Sequence, residues 1–148
     1  MRVGGKQRQR NSMIAGLIIG GVVLIGVAIL LYVINKNVNI DTEVVVTDSS
    51  FEVKGMHGGT YDLDAVTSVE LKDSIPEILE RTNGVAVDEV KKGNFKLKEL
   101  GLCRLYLLSE EGPYLYIKVN DFYVIINYPD KARTEELYQE LSAKINHK

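Results

Sequence analysis

PYLYIKVNDFYVIINYPD, residues 113–130, is the stretch whose alternation decides the class of fold. Leu115, Ile117 and Val119 take every second position, and Tyr114, Tyr116 and Lys118 fall between them. Asn120-Asp121 breaks the run, and a second apolar run follows at 122–128. A period of two with β-branched and aromatic residues is the signature of strands, and Asn-Asp is turn chemistry.

Working outward from that pair, the downstream segment changes period. Leu137, Leu141 and Ile145 stand at i, i+4 and i+8, with Tyr138 beside them, which makes one apolar stripe on a helix. Asp130 after Pro129 suits its N-cap. Upstream, residues 95–98 and 102–108 read as strands, with turns at Gly101 and at Glu111-Gly112-Pro113. Two more strands are predicted at 43–47 and 51–56 around the turn Asp48-Ser49-Ser50. After the Gly58-Gly59 turn, a long strand spans 60–72, broken near 63–65. Residues 74–84 predict a short helix. Pro76 suits its first turn, Ile75, Ile78 and Leu79 form a small apolar side, and Asn83-Gly84 ends it. A loop is expected from 85 to 93. The expected fold is therefore mainly β, a seven-stranded antiparallel barrel or sandwich capped by a C-terminal amphipathic helix.

The N-terminal end belongs to another class. Residues 13–34, MIAGLIIGGVVLIGVAILLYVI, hold no charge and no proline over 22 positions. At about 1.5 Å per residue a helix of this length matches the ~30 Å hydrocarbon core of a bilayer. The organisation predicted is a basic tail at 1–12, a transmembrane helix at 13–34, a linker at 35–42 and one domain at 43–148. Residues 1–40 carry five Lys/Arg and no acid, whereas residues 41–148 carry the other 13 Lys/Arg against all 20 Asp/Glu, a net of −7. Four of the basic residues precede the apolar stretch, so the positive-inside rule puts the N-terminus in the cytoplasm and the domain across the membrane. A cleaved signal peptide is the rival reading. The apolar run is longer than the usual ~7–15 residues, and no A-x-A-like site follows, so an uncleaved signal anchor is favoured. Ser12, Gly16 and Gly20, four apart, would share one helix face and suit a homodimer.

The acidic domain argues against nucleic acid, which demands clustered cations. One cysteine, Cys103, excludes a disulfide framework and a cysteine-rich zinc site. Alternating with Leu105 and Leu107, it reads as a buried apolar residue. His57 in a Gly-rich turn and His147 near the terminus stand in no nucleophile motif and no metal-ligand spacing. Asp62 and Asp64 are expected to share a solvated strand face. No cofactor and no enzymatic activity are expected.

In order, GMHGGTYDLDAVTSVELKDSIPEI (55–78), RTNG (81–84), KGNFKL (92–97), CRLYL (103–107), PYLYIKVNDFYVIINYPD (113–130) and TEELYQEL (134–141) resemble the bacterial pleckstrin-homology-like domains, in particular those of membrane-anchored proteins. The resemblance covers about residues 43–145. It implies a seven-stranded fold with a C-terminal helix, binding or assembly rather than catalysis, and no particular ligand. One departure is clear. Phosphoinositide-binding members of the wider fold carry Lys and Arg at the first hairpin turn, whereas Thr47-Asp48-Ser49-Ser50 is flanked here by Glu43 and Glu52.

Two surfaces are candidates for function. If Cys103, Leu105 and Leu107 face inward, Arg104 and Tyr106 face outward; likewise Tyr114, Tyr116 and Lys118 face outward from the next strand. Side by side, these five would form an aromatic, basic patch suited to a protein partner. The alternative is a binder of anionic lipid headgroups through Arg81, Lys91, Lys92, Lys96 and Lys98, a locally basic run in an acidic domain. The reading that follows is a single-pass membrane-anchored binding protein engaging a protein partner.

Overall fold

A computed structural model describes residues 4–38 and 42–146, with side chains for 14–33 and 42–146. His147 lies outside the described residues. The chain divides into two units, Met1–Asn37 and Val38–Lys148. The first is one helix, α1 (Gly4–Val38), which is longer than the apolar stretch because the basic residues before it continue the same helix. Within it, Ile14–Val33 is long and apolar enough to cross a membrane. Gly16 and Gly20 stand on it with open space where a Cβ would go. The Ser12 side chain lies outside the described ones.

The second unit is mainly β. Its strands are β1 (Val44–Val46), β2 (Ser50–Val53), β3 (Gly59–Asp62), β4 (Val66–Lys72), β5 (Ile78–Val87), β6 (Val90–Leu97), β7 (Gly101–Leu107), β8 (Tyr114–Val119) and β9 (Phe122–Asn127), followed by the helix α2 (Lys131–Asn146). Strands β1–β3 form a small sheet, and the other six form a second one in the order β4-β8-β9-β7-β6-β5. The described strands thus number nine rather than seven, and two local differences account for this. The break expected near 63–65 is a 3-10 turn, Leu63–Ala65, and it sends β3 and β4 into different sheets. The helix expected at 74–84 is absent. In its place β5 pairs with β6 as one arm of an antiparallel hairpin, and the loop expected at 85–93 is instead paired strand on both sides of a two-residue turn, Asp88-Glu89. Asn83-Gly84 is not a helix stop. Gly84 lies opposite Gly93, both at positive φ (144° and 126°), and a Cβ on Gly93 would sit 2.3 Å from the Asn83 carbonyl oxygen. Only glycine permits that approach.

The expectation of a wholly antiparallel build also needs correction. β7 and β9 run parallel, with Cys103 beside Tyr123 and Leu105 beside Ile125. The 108–121 connection, which contains β8, returns the chain between two strands of one direction.

Both faces of the large sheet are covered. On one, Tyr106, Leu115, Ile117, Val124 and Ile126 pack with Phe51, Val53 and Tyr61 of the small sheet and with Leu137 and Leu141 of α2. On the other, Phe95, Leu97, Cys103, Leu105, Tyr114, Tyr116 and Ile125 form a second core with Ile75, Ile78 and Leu100. Near-continuous apolar runs in β8 and β9 follow from this two-sided burial. The C-terminal helix matches its expectation: Asp130 Oδ1 accepts the Ala132 N–H at 3.1 Å, and Leu137 and Leu141 are buried. Lys144 near its end meets Asp48 in the β1–β2 turn.

Asn127 joins the sheet to the loop that follows β7. It is fully buried; its Oδ1 accepts the N–H groups of Leu108 and Ser109, and its Nδ2 donates to the carbonyls of Ser109 and Glu111 at 2.9 and 3.0 Å. A buried amide with all these bonds made is costly to remove, because the loop's backbone groups would be left unpaired. Asn127→Ala is expected to lower the unfolding free energy by on the order of 2–4 kcal/mol. Urea denaturation of residues 42–148 against wild type checks it.

Candidate functional site

The register of β7, β9 and β8 decides where each candidate residue lies. Directly paired residues share a face of a sheet. Leu105, Ile125 and Tyr116 lie in one row, and Cys103, Tyr123 and Lys118 in the next. Arg104, Val124 and Ile117 lie in a row on the opposite face, as do Tyr106, Ile126 and Leu115. The expected patch of Arg104, Tyr106, Tyr114, Tyr116 and Lys118 is therefore not one surface. The intervening β9 separates β7 from β8, and the two halves of the set point to opposite sides.

Nor do its tyrosines face solvent. Tyr106, Tyr114 and Tyr116 are 0, 4 and 2% exposed. Tyr106 lies under the small sheet, where its hydroxyl donates to the His57 carbonyl at 2.8 Å and meets the Tyr61 hydroxyl at 3.0 Å. Arg104 Nη1 donates to the same carbonyl at 3.5 Å. His57 thus contributes its backbone, at a positive φ of 60°, as an acceptor that ties the turn to β7.

On the other face, residues 73–77 fold over β8. The Tyr116 hydroxyl donates to the Ser74 carbonyl at 2.9 Å, and its ring meets that of Tyr123 edge-on at 6.0 Å. Lys72 Nζ sits 4.7 Å from the Tyr116 ring centre, and Lys118 Nζ 5.8 Å from that of Tyr123. A cleft of about 530 Å³ opens between the 73–77 segment and the β6–β7 turn. Ile75, Pro76, Leu100 and Tyr116 supply its apolar surface, while Lys72, Glu77, Lys98 and Glu99 bring both signs of charge. Lys98 and Glu77 face each other at 3.9 Å. Sequence reading places Tyr116 and Lys98 in two different candidate sets, puts Ile75 on the apolar side of a short helix and gives no role to Leu100. Their convergence depends on a strand, β5, that was read as a helix.

The second candidate set is spread along β5 and β6. Arg81 and Lys91 lie on one side of the hairpin by register, and Lys92 and Lys96 on the other. Lys91 pairs with Glu110 at 3.5 Å, and Lys92 is buried. Arg81 and Lys96 are exposed. The five do not converge on one point.

Cys103 is 1% exposed, and burial pushes its thiol pKa up, consistent with the apolar role expected. Asp62 ends β3 and Asp64 lies in the 3-10 turn, so the two share no strand. Among the described residues, no group of three His, Cys, Asp or Glu could hold a metal ion. Comparison with protein-family models, curated proteins and solved structures found no match.

Burial also raises the tyrosines. Tyr116 is pushed up to about 12. Tyr106 rises by burial and by its bond with Tyr61, and Tyr114 by burial and the nearby Glu110 and Glu111 charges. A phenol raised above its unfolded value of about 10 stabilises the fold fully below that pH, and this contribution is lost as pH rises through the folded value. Titration of tyrosinate absorbance is expected to show Tyr106, Tyr114 and Tyr116 ionising above the ordinary phenol value of about 10, together with alkaline unfolding. Tyr116→Phe should shift the alkaline unfolding midpoint to higher pH.

Proposed function

We propose that this protein is a single-pass membrane protein whose mainly β domain is a binding module for a partner polypeptide. The N-terminus is cytoplasmic, the domain is extracytoplasmic, and the domain belongs with the bacterial pleckstrin-homology-like type. What supports the anchor is the apolar span Ile14–Val33, with basic residues ahead of it. What supports the family reading is a mainly β unit closed by a C-terminal helix. Its parallel β7–β9 pair and its division into three and six strands differ from the seven-stranded antiparallel build expected from the sequence.

The observation that carries the binding reading is the cleft beside Tyr116. Its apolar wall offers burial, and its rim of two lysines and two glutamates suits the mixed charges of a polypeptide. Of the residues expected to bind a partner, Tyr116 forms the floor and Lys118 stands on the same face, two residues along β8. Tyr106 and Arg104, on the far face, serve the turn at His57 instead.

A photo-crosslinking amino acid at Leu100, on the cleft wall, is expected to trap a discrete protein adduct in intact cells, while the same probe at Glu135 on α2 traps none. Equal labelling at both positions, or adducts to lipid alone, would overturn the cleft as the binding site. Orientation has its own check. In a Cys103→Ala background, a cysteine at the exposed position Glu136 is expected to react with a membrane-impermeant maleimide added to whole cells. Labelling only after the membrane is broken would place the domain in the cytoplasm.

A further inference from the structure

The small sheet and α2 cover one face of the large sheet only in part. Tyr106 of β7 is fully buried under them, but Leu102, four residues earlier on the same face, is 55% exposed. A groove of about 220 Å³ opens there, and Leu102, Phe122, Asn94 and Arg104 line it. The Phe122 ring lies 6.2 Å from that of Tyr61 in β3, so the apolar side of the groove is continuous with the core. Met56, 49% exposed, precedes the residue whose carbonyl Arg104 contacts, and is another of the few large apolar side chains of this unit open to solvent. By register, Arg104 and Leu102 point to the opposite face of the sheet from Tyr116.

Arg104 is the informative residue. It is half-buried, donates to the His57 carbonyl at 3.5 Å and lies beside the Tyr106 hydroxyl. Six lysines of the same unit find a carboxylate within 4.0 Å. Among the described residues Arg104 makes no ion pair, although the unit carries a net charge of −7. In the next row of this face Lys96 stands opposite Glu80, so those two charges offset one another and leave that of Arg104 unmatched. A guanidinium carries five N–H groups in a planar fork that fits a carboxylate, and its present contacts use only part of it.

We propose that this groove is a second docking site, which takes a segment of a partner polypeptide carrying Asp or Glu next to an apolar residue. The carboxylate meets Arg104, and the apolar side chain enters between Leu102 and Phe122. The Asn94 amide, directly across from Arg104 in the ladder, offers both a donor and an acceptor to the segment's backbone. An extended polyanion, whether a nucleic acid or an anionic bilayer, would meet the repulsive field of the whole acidic unit, whereas one carboxylate meets Arg104. Charge-assisted Arg–carboxylate bonds are directional, and at a half-buried site they are screened less by salt than on an open surface.

The test uses the full chain in phosphatidylcholine nanodiscs and three capped synthetic peptides, in which a photo-reactive leucine is followed by Glu, by Gln or by Lys. Mass spectrometry reads the cross-linked residues. The Glu peptide is expected to label Leu102, Phe122 or Met56 about fivefold more than the other two, an excess that shrinks as salt is raised. Arg104→Gln should abolish the excess. Because that change also removes a bond to the His57 turn, a second variant leaves Arg104 in place. Leu102→Glu, at an exposed position, supplies a carboxylate in the neighbouring row and should block the Glu peptide at Phe122 and Met56, with circular dichroism unchanged. Equal labelling by the three peptides, an excess that survives Arg104→Gln or Leu102→Glu, or labelling confined to the Tyr116 cleft would overturn the proposal. Leu100→Ser, which alters that cleft, is expected to leave labelling at Leu102 unchanged, so the two sites stand or fall separately.

Discussion

The parallel contact between β7 and β9 is the constraint on which the rest of the domain depends. Because the two strands run in one direction, the chain between them must return, and it does so through β8 on the far side of β9. That places β9 at the centre with both faces covered. Residues 124–128 are all buried, with Val124 and Ile126 facing the small sheet and α2, and Ile125 facing the second core. A strand with no wet face must satisfy every polar group it carries. Asn127, the one amide side chain of that run, does so by binding the loop that makes the return possible.

Two cores on one sheet assign different work to chemically similar residues. Tyr106 and Tyr116 are both buried and both donate to a carbonyl, yet they close different elements over the sheet. Tyr106 holds the turn at His57, and Tyr116 holds the 73–77 segment. The cleft exists because that segment covers the second face only in part. Its apolar wall is continuous with the core through Tyr116 and Leu100. A ligand that enters would extend a packed surface rather than create one.

The edge strand and the cleft share an origin in the sequence. The segment after Lys72 first crosses the sheet face as 73–77 and then turns to run as β5 along its border. Gly84 and Gly93 let the two arms of the following hairpin approach closely. The local pattern around Pro76 was compatible with a helical turn. Hydrogen bonding to β6 is the stronger demand, because it pairs eight residues where an isolated helix of two turns would have been marginal.

Much of this protein was legible in its sequence for direct physical reasons. A run of 22 uncharged residues reads as a helix long and apolar enough to cross a membrane, α2 shows its stripe through Leu137 and Leu141, and β8 and β9 show a period of two. The buried state of Cys103 followed from the same alternation. Alternation, however, separates two faces of one strand and does not say which face of its neighbour matches. It also implies one wet face, and here there is none. Whether Arg104 and Tyr106 stand beside Tyr116 or behind it depends on the order and direction of β7, β9 and β8. The deciding pairings are those of β7 with β9, between residues twenty positions apart in the chain, on top of the β8–β9 hairpin. Only the tertiary structure decides such non-local contacts, because each is chosen by how all the strands together bury their apolar surface and pair their backbones.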